Sequence, residues 1–163
     1  MAALDNDVAA EVSPVQPKED VRICLFTIGT DTYAIPVDLL IEIIIPQKIF
    51  PVPTTPSHVL GVINLRGTIV PIVDIRPILS LPHETAPGQI AILKSGTMML
   101  GIVVDNVTAV QGLPETSIQS LPAESASRHG GNRSGFVQGI IQQEHGVVAL
   151  LNIERIIEEI KLT

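Results

Sequence analysis

The chain has 163 residues, 17 acids against 10 lysines and arginines, a formal net charge of −7 at pH 7, and 45% hydrophobic residues with only 2% aromatics. That balance excludes nucleic-acid binding through phosphate neutralisation, and without a basic block the chain has no direct purchase on an anionic membrane. A single cysteine, Cys24, excludes an internal disulfide, and no apolar run reaches the roughly 18 residues that would span a bilayer.

Residues 1–20 carry five acids, one lysine and two prolines with no apolar period, which predicts a disordered acidic tail. The start also lacks the positive and apolar stretches of a secretory leader, so the expectation is a cytoplasmic protein. From Val21 the character changes. Val21 to Ile28 reads as a strand, Gly29-Thr30-Asp31 as a turn, and Thr32 to Ile35 as the returning strand. Pro36 suits a first helical turn, and Leu39, Leu40, Ile43 and Ile44 share a face at helical spacing, so a short helix is predicted after the first hairpin. The β-branched run up to Ile45 leaves a strand open over 37–45. Pro51 to Pro56 is an extended connector with too few amides for a central strand.

Next comes the most specific stretch, Leu60 to Asp74. Two β-branched runs flank Leu65-Arg66-Gly67, which predicts a hairpin with one positive charge at its bend. A loop follows around 81–88. The same frame returns 78 positions later over Gln138 to Asn152: Gly61 maps on Gly139, Ile63 on Ile141, Val70 on Val148 and Asp74 on Asn152. An earlier block repeats at an offset of 67, with Gly29-Thr30 on Gly96-Thr97, Ile35 on Ile102 and Val37-Asp38 on Val104-Asp105. The pattern predicts an internal duplication, with the extra length of the second half in the polar, glycine-rich loop 123–135. Arg66 maps on Glu144, so the arginine is present in one copy only and is not required by the architecture. At the end, Asn152 can cap a helix whose Ile153, Ile156, Ile157 and Ile160 form an apolar stripe, with Lys161 at its negative pole.

Few residues suggest chemistry. His58, His83, His129 and His145 are scattered without metal-ligand spacing and read as solvated loop histidines; no metal site is expected. His129-Gly130-Gly131 lacks the strand-to-helix context of a nucleophile elbow, and no phosphate-cradling glycine motif occurs. Asp74 and Asp105 end predicted strands; they read as chain-turning residues, with an acid–base pair of a small β-barrel hydrolase as the competing reading. Arg66 is either a solvated turn charge or an interface anchor. An exposed ion pair contributes only about 0–1 kcal/mol, so stability is a weak reason for its presence.

Leu25-Phe26-Thr27-Ile28-Gly29, Tyr33-Ala34-Ile35-Pro36, Ile41-Glu42-Ile43, Gly61-Val62-Ile63-Asn64-Leu65-Arg66-Gly67, Val70 to Arg76 and Gly101 to Asp105 together resemble the CheW family of chemosensory adaptors. The resemblance covers about residues 21–161. It implies a mainly β fold of two small SH3-like five-stranded β-barrels packed together, about 21–84 and 85–152, followed by a C-terminal helix over 153–161. It implies no enzyme and no cofactor. The implied partners are the cytoplasmic tip of a chemoreceptor and the regulatory domain of a CheA-type histidine kinase, with the membrane reached only through the receptors. By the same resemblance Arg66 pairs with Glu42 at a receptor groove, Leu40 and Ile44 border that groove, and Asn64 and Leu65 shape the hairpin. An adaptor of a pilus-motility or other chemosensory pathway fits the same pattern.

Overall fold

The computed structural model describes residues 20–55, 58–81, 88–121 and 135–162. The predicted tail, apart from Asp20, and most of the 123–135 loop lie outside them, as do His83 and His129. Among the described residues, eleven strands and one α-helix form in the order β1 (Asp20–Ile28), β2 (Asp31–Pro36), β3 (Leu40–Ile44), β4 (Val59–Leu65), β5 (Thr68–Val73), β6 (Gln89–Ser95), β7 (Met98–Val104), β8 (Asn106–Pro114), β9 (Ile118–Ser120), β10 (Val137–Gln143), β11 (Gly146–Leu151) and α1 (Ile153–Leu162). The fold is mainly β, as the sequence predicts, and its two sheets are the two SH3-like barrels; one has the expected five strands and the other six, because the segment that makes a single bridge at Phe50 in one copy pairs as the three-residue β9 in the other. Asp20 already belongs to β1, opposite Pro114, so β1 starts at the last residue of the predicted tail.

The predicted helix over 37–45 shrinks to one 3₁₀ turn, Val37–Leu39, followed by β3. The β-branched run Ile41 to Ile45 is stiff at χ1 and suits a pleated surface, and β6 offers a ready edge to pair with. Both duplicated blocks are present in the hydrogen-bond register. β4 and β5 reappear as β10 and β11 with bounds 78 residues later, and β1 and β2 reappear as β6 and β7 at 67. β3 corresponds to β8 at that same offset, down to the bulge: Ile41 is skipped against β6, and Thr108 is skipped against β1. The chain after β3 crosses β4 where Phe50 bridges Val62, and β9 crosses β10 where Gln119 faces Ile140. The extra length of the second half therefore falls mainly between Gln119 and β10. Both crossings explain a repeated glycine: a Cβ on Gly61 would sit 2.3 Å from the Phe50 carbonyl oxygen, and one on Gly139 would sit 2.7 Å from Ile118.

One expectation is corrected. The strand orders are β8-β1-β2-β11-β10-β9 and β3-β6-β7-β5-β4, so neither sheet is built from one half of the sequence. Each half gives its first hairpin to the other half's sheet. In each sheet the halves meet twice, at a parallel pairing (β2 with β11, β5 with β7) and at an antiparallel one (β1 with β8, β3 with β6). A boundary at 84/85 therefore cuts through both sheets.

This arrangement buries both faces of the exchanged strands. On β1, Ile23 and Leu25 enter the interior of the first sheet, while Cys24, Phe26 and Ile28 face a central cluster between the sheets. On β6, Ile90 and Ile92 fill the second sheet's interior, and Ala91 and Leu93 join the central cluster. Strands buried on two sides need continuous apolar runs rather than alternation, which accounts for the Ile, Val and Leu content. α1 closes the central cluster with Ile153, Ile156 and Ile157. Its start is capped as predicted, the Arg155 N–H donating to Asn152 Oδ1 at 3.1 Å, an arrangement typically contributing about 1 kcal/mol.

Tyr33, the only tyrosine, is buried in the central cluster against Phe26. Burial first, and then the Asp31 carboxylate, push its phenol up to about 12 from the ordinary value of 10. The folded state thus keeps a proton that the unfolded state loses, so stability falls as pH rises from about 10 to about 12. The full shift corresponds to roughly 2–3 kcal/mol. The thermal midpoint is expected to drop over that window in step with the phenolate absorbance. A phenol titrating near 10 with no loss of midpoint would contradict it.

Candidate partner-binding site

Arg66 and Gly67 are the two central residues of the β4–β5 turn, with φ of 50° and 90°. Positive φ at both positions is the hairpin geometry that matches strand twist, and asparagine or glycine adopts it most readily. An arginine in the left-handed region costs roughly 1–2 kcal/mol. The duplicated turn avoids this: Glu144 and His145 have no positive φ, and Gly146 takes the unusual conformation instead, at 145°. Asn64 stabilises the arginine turn by accepting the Gly67 N–H on Oδ1 at 2.7 Å.

Arg66 reaches Glu42, and its Nη2 donates to Glu42 Oε2. The two residues come from β3 and the β4–β5 turn, which are at opposite ends of the second sheet's strand order. Their ion pair thus spans the seam where the sheet rolls up. Arg66 is 69% exposed at the side chain and Glu42 29%, so the pair is solvated and contributes little to stability. The guanidinium remains available to a partner, held in one place by an acid beneath it.

The other expected residues fall in different settings. Leu40 and Ile44 lie on β3, two residues either side of Glu42; both are half-buried, Leu40 against the central cluster and Ile44 against the second sheet's interior. Asn64 is exposed. Leu65 is buried inside the barrel, so it shapes the hairpin from within and presents no surface. Two exposed apolar residues near the site escaped notice: Ile41, pushed outward at the β3 bulge, and Ile69, opposite Asn64 on β5. Alternation along β5 placed Ile69 on the outer face and was the signal available for it.

Asp74 and Asp105 do meet, through Arg76. Arg76 is 3% exposed, and its guanidinium lies 3.3 Å from Asp74 Oδ1 and 2.5 Å from Asp105 Oδ1. Asp74 Oδ1 also accepts the Arg76 backbone N–H, and Asp105 Oδ2 accepts the Gly29 N–H at 2.6 Å. The carboxylates are engaged by one guanidinium and two backbone donors, which is a clamp rather than the geometry of an acid–base pair. The hydrolase reading loses its residues. His58 is a further correction: it is buried rather than solvated, and its Nε2 has no partner among the described residues. His145 is exposed, as expected. No group of His, Cys, Asp or Glu among the described residues could hold a metal ion.

Two interlocked SH3-like barrels carrying an exposed arginine hairpin define an adaptor-type β domain. A CheW-like domain model matches residues 22–161. The Helicobacter pylori chemotaxis protein CheW is 30% identical over 136 residues, covering 82% of this chain and 79% of that protein. Protein FrzA of Myxococcus xanthus is 27% identical over 161 residues, 96% of this chain and 94% of its own. The crystal structure of the scaffolding protein TtCheW from Thermoanaerobacter tengcongensis superposes with a TM-score of 0.73 at 24% identity, covering 81% of this chain and 88% of that one, and supports the fold. The chain belongs to the CheW family, and its function is that of a chemosensory adaptor. No helix among the described residues is long and apolar enough to cross a membrane.

Proposed function

We propose that this adaptor joins the cytoplasmic tip of a chemoreceptor to the regulatory domain of a CheA-type histidine kinase, without catalysis of its own. It works in the cytoplasm and reaches the membrane through its receptors. The mechanism is one of effective concentration: two partners held on a small rigid body meet far more often than free ones, even where each contact is weak. Glu42 orients Arg66 as the principal receptor contact, with Leu40 and Ile44 bordering the groove and Asn64 and Leu65 fixing the hairpin.

The observation that carries this reading is Arg66 itself. It occupies a left-handed turn position that a different residue would fill more cheaply, it is exposed, and the duplicated turn does without it. Recognition accounts for an arginine kept at such a place, because arginine is enriched among interface residues whose truncation costs about 2 kcal/mol or more. Receptor-tip binding is expected to weaken about 30-fold in Arg66→Ala, with the thermal midpoint nearly unchanged. Arg66→Gly relieves the backbone strain, so it is expected to raise the midpoint slightly while losing the same affinity. Intact receptor binding in both variants would overturn the assignment. The likeness to FrzA over nearly the whole chain fits service in a pilus-motility or other chemosensory pathway equally, and the kinase captured from the native cytosol identifies which.

A further inference from the structure

The duplication leaves one difference between the two sheets that the adaptor role does not absorb. At the end of the second sheet, Asp74, Arg76 and Asp105 form the clamp. At the offsets already established, Asp105 maps on Asp38, Asp74 on Asn152 and Arg76 on Glu154. The counterparts also converge: Asp38, Asn152 and Glu154 line one cavity of about 280 Å³, together with Gln138 and an apolar wall of Pro36 and Leu39. The same niche that encloses a guanidinium in one copy therefore presents two carboxylates and two carboxamides in the other. Neither Asp38 nor Glu154 makes an ion pair among the described residues, and both are exposed.

The geometry points to this cavity as a docking site for a cationic side chain of a partner protein, arginine in particular. The chain's own Arg76 shows what the duplicated niche holds, its guanidinium touching the equivalents of Asp38 and Asn152. A planar fork can reach a carboxylate and a neighbouring amide oxygen together, which a lysine ammonium cannot match. The volume lies at the lower edge of small-molecule pockets, roughly 300–1,000 Å³, and suits one long side chain better than a larger ligand. The positive end of α1 weakly opposes a cation there, and Glu154 in the first turn counters it. Arg76 tolerates the same situation, at the start of a helical turn in which Leu79 N–H donates to the Ile75 carbonyl. The site is separate from the Arg66 hairpin, so either assignment can fail without the other.

The test is an NMR titration of the isotope-labelled full chain with N-acetyl-arginine amide, and with its neutral citrulline analogue. Amide shifts are expected at Asp38, Gln138, Asn152 and Glu154 with the arginine probe, and binding about tenfold weaker or undetectable with citrulline. Asp38→Asn with Glu154→Gln should remove the response while leaving the melting midpoint and receptor binding in place. Glu154→Arg should also remove it, by supplying the guanidinium from within the chain. Equal responses to the two probes, or an unchanged response in the Asn/Gln variant, would overturn the proposal.

Discussion

Arg76→Ala is expected to lower the unfolding free energy by about 3–5 kcal/mol, measured by urea denaturation. The size follows from what is left behind. Arg76 is 3% exposed and sits between Asp74, itself 5% exposed, and Asp105. Removing the cation strands two carboxylates that cannot both be rehydrated, and Asp105 also anchors the β1–β2 turn through the Gly29 N–H. The clamp therefore ties the ends of β5 and β7, in one sheet, to a turn of the other. The penalty is one of desolvation more than of lost attraction, so a compensated variant tests the cause. Arg76→Met combined with Asp74→Asn and Asp105→Asn should recover most of the loss, because neutral amides keep the backbone acceptors without requiring a counter-charge. A loss below about 1 kcal/mol in Arg76→Ala would show that water enters the cluster freely.

The second large effect concerns the boundary at 84/85. Produced as two fragments divided there, neither half is expected to fold, and mixing them is expected to restore cooperative unfolding. The first half would hold the β1–β2 and β4–β5 hairpins and β3, none of which pairs with another in the native sheets. Isolated hairpins are marginal in water at best. The second half would hold the β6–β7 hairpin, an unpaired β8 and the three strands β9–β11, joined to one another only along the chain. Circular dichroism and analytical gel filtration of each fragment alone and of the equimolar mixture decide the matter. A sharp thermal transition in either lone fragment would mean that the halves are autonomous after all.

Much of this was open to reading in the residues. The repeats were visible because a sheet's period of two and its turn glycines leave fixed marks, and Gly29-Thr30 against Gly96-Thr97 needed no structure. The exchange of hairpins was not visible, because a repeat reveals that two copies exist but carries no sign of which copy each strand pairs with. β3 was ambiguous for a local reason: Leu39, Leu40, Ile43 and Ile44 suit a helical face and a half-buried edge strand equally, and only the presence of β6 decides. At the site, Arg66 and Glu42 were paired correctly through the family resemblance. Leu65, given by the resemblance as shaping the hairpin, does so from within, because strand alternation turns it inward between the exposed Asn64 and Arg66. Arg76 and His58 were missed as buried groups because a charged or polar residue within two positions of a proline reads as a loop. The counterpart acids that enclose Arg76 are 2 and 29 positions away.

The exchange of hairpins has a mechanical corollary. A pull applied by a partner gripping one barrel is passed to the other through two chain crossings, β2 to β3 and β7 to β8, and through the apolar cluster packed between the sheets, instead of falling on a single connecting thread. Tension between two bound partners would then be transmitted with little stretch. A linker of two beads on a string could not do that, and a lattice made from such units would inherit their stiffness.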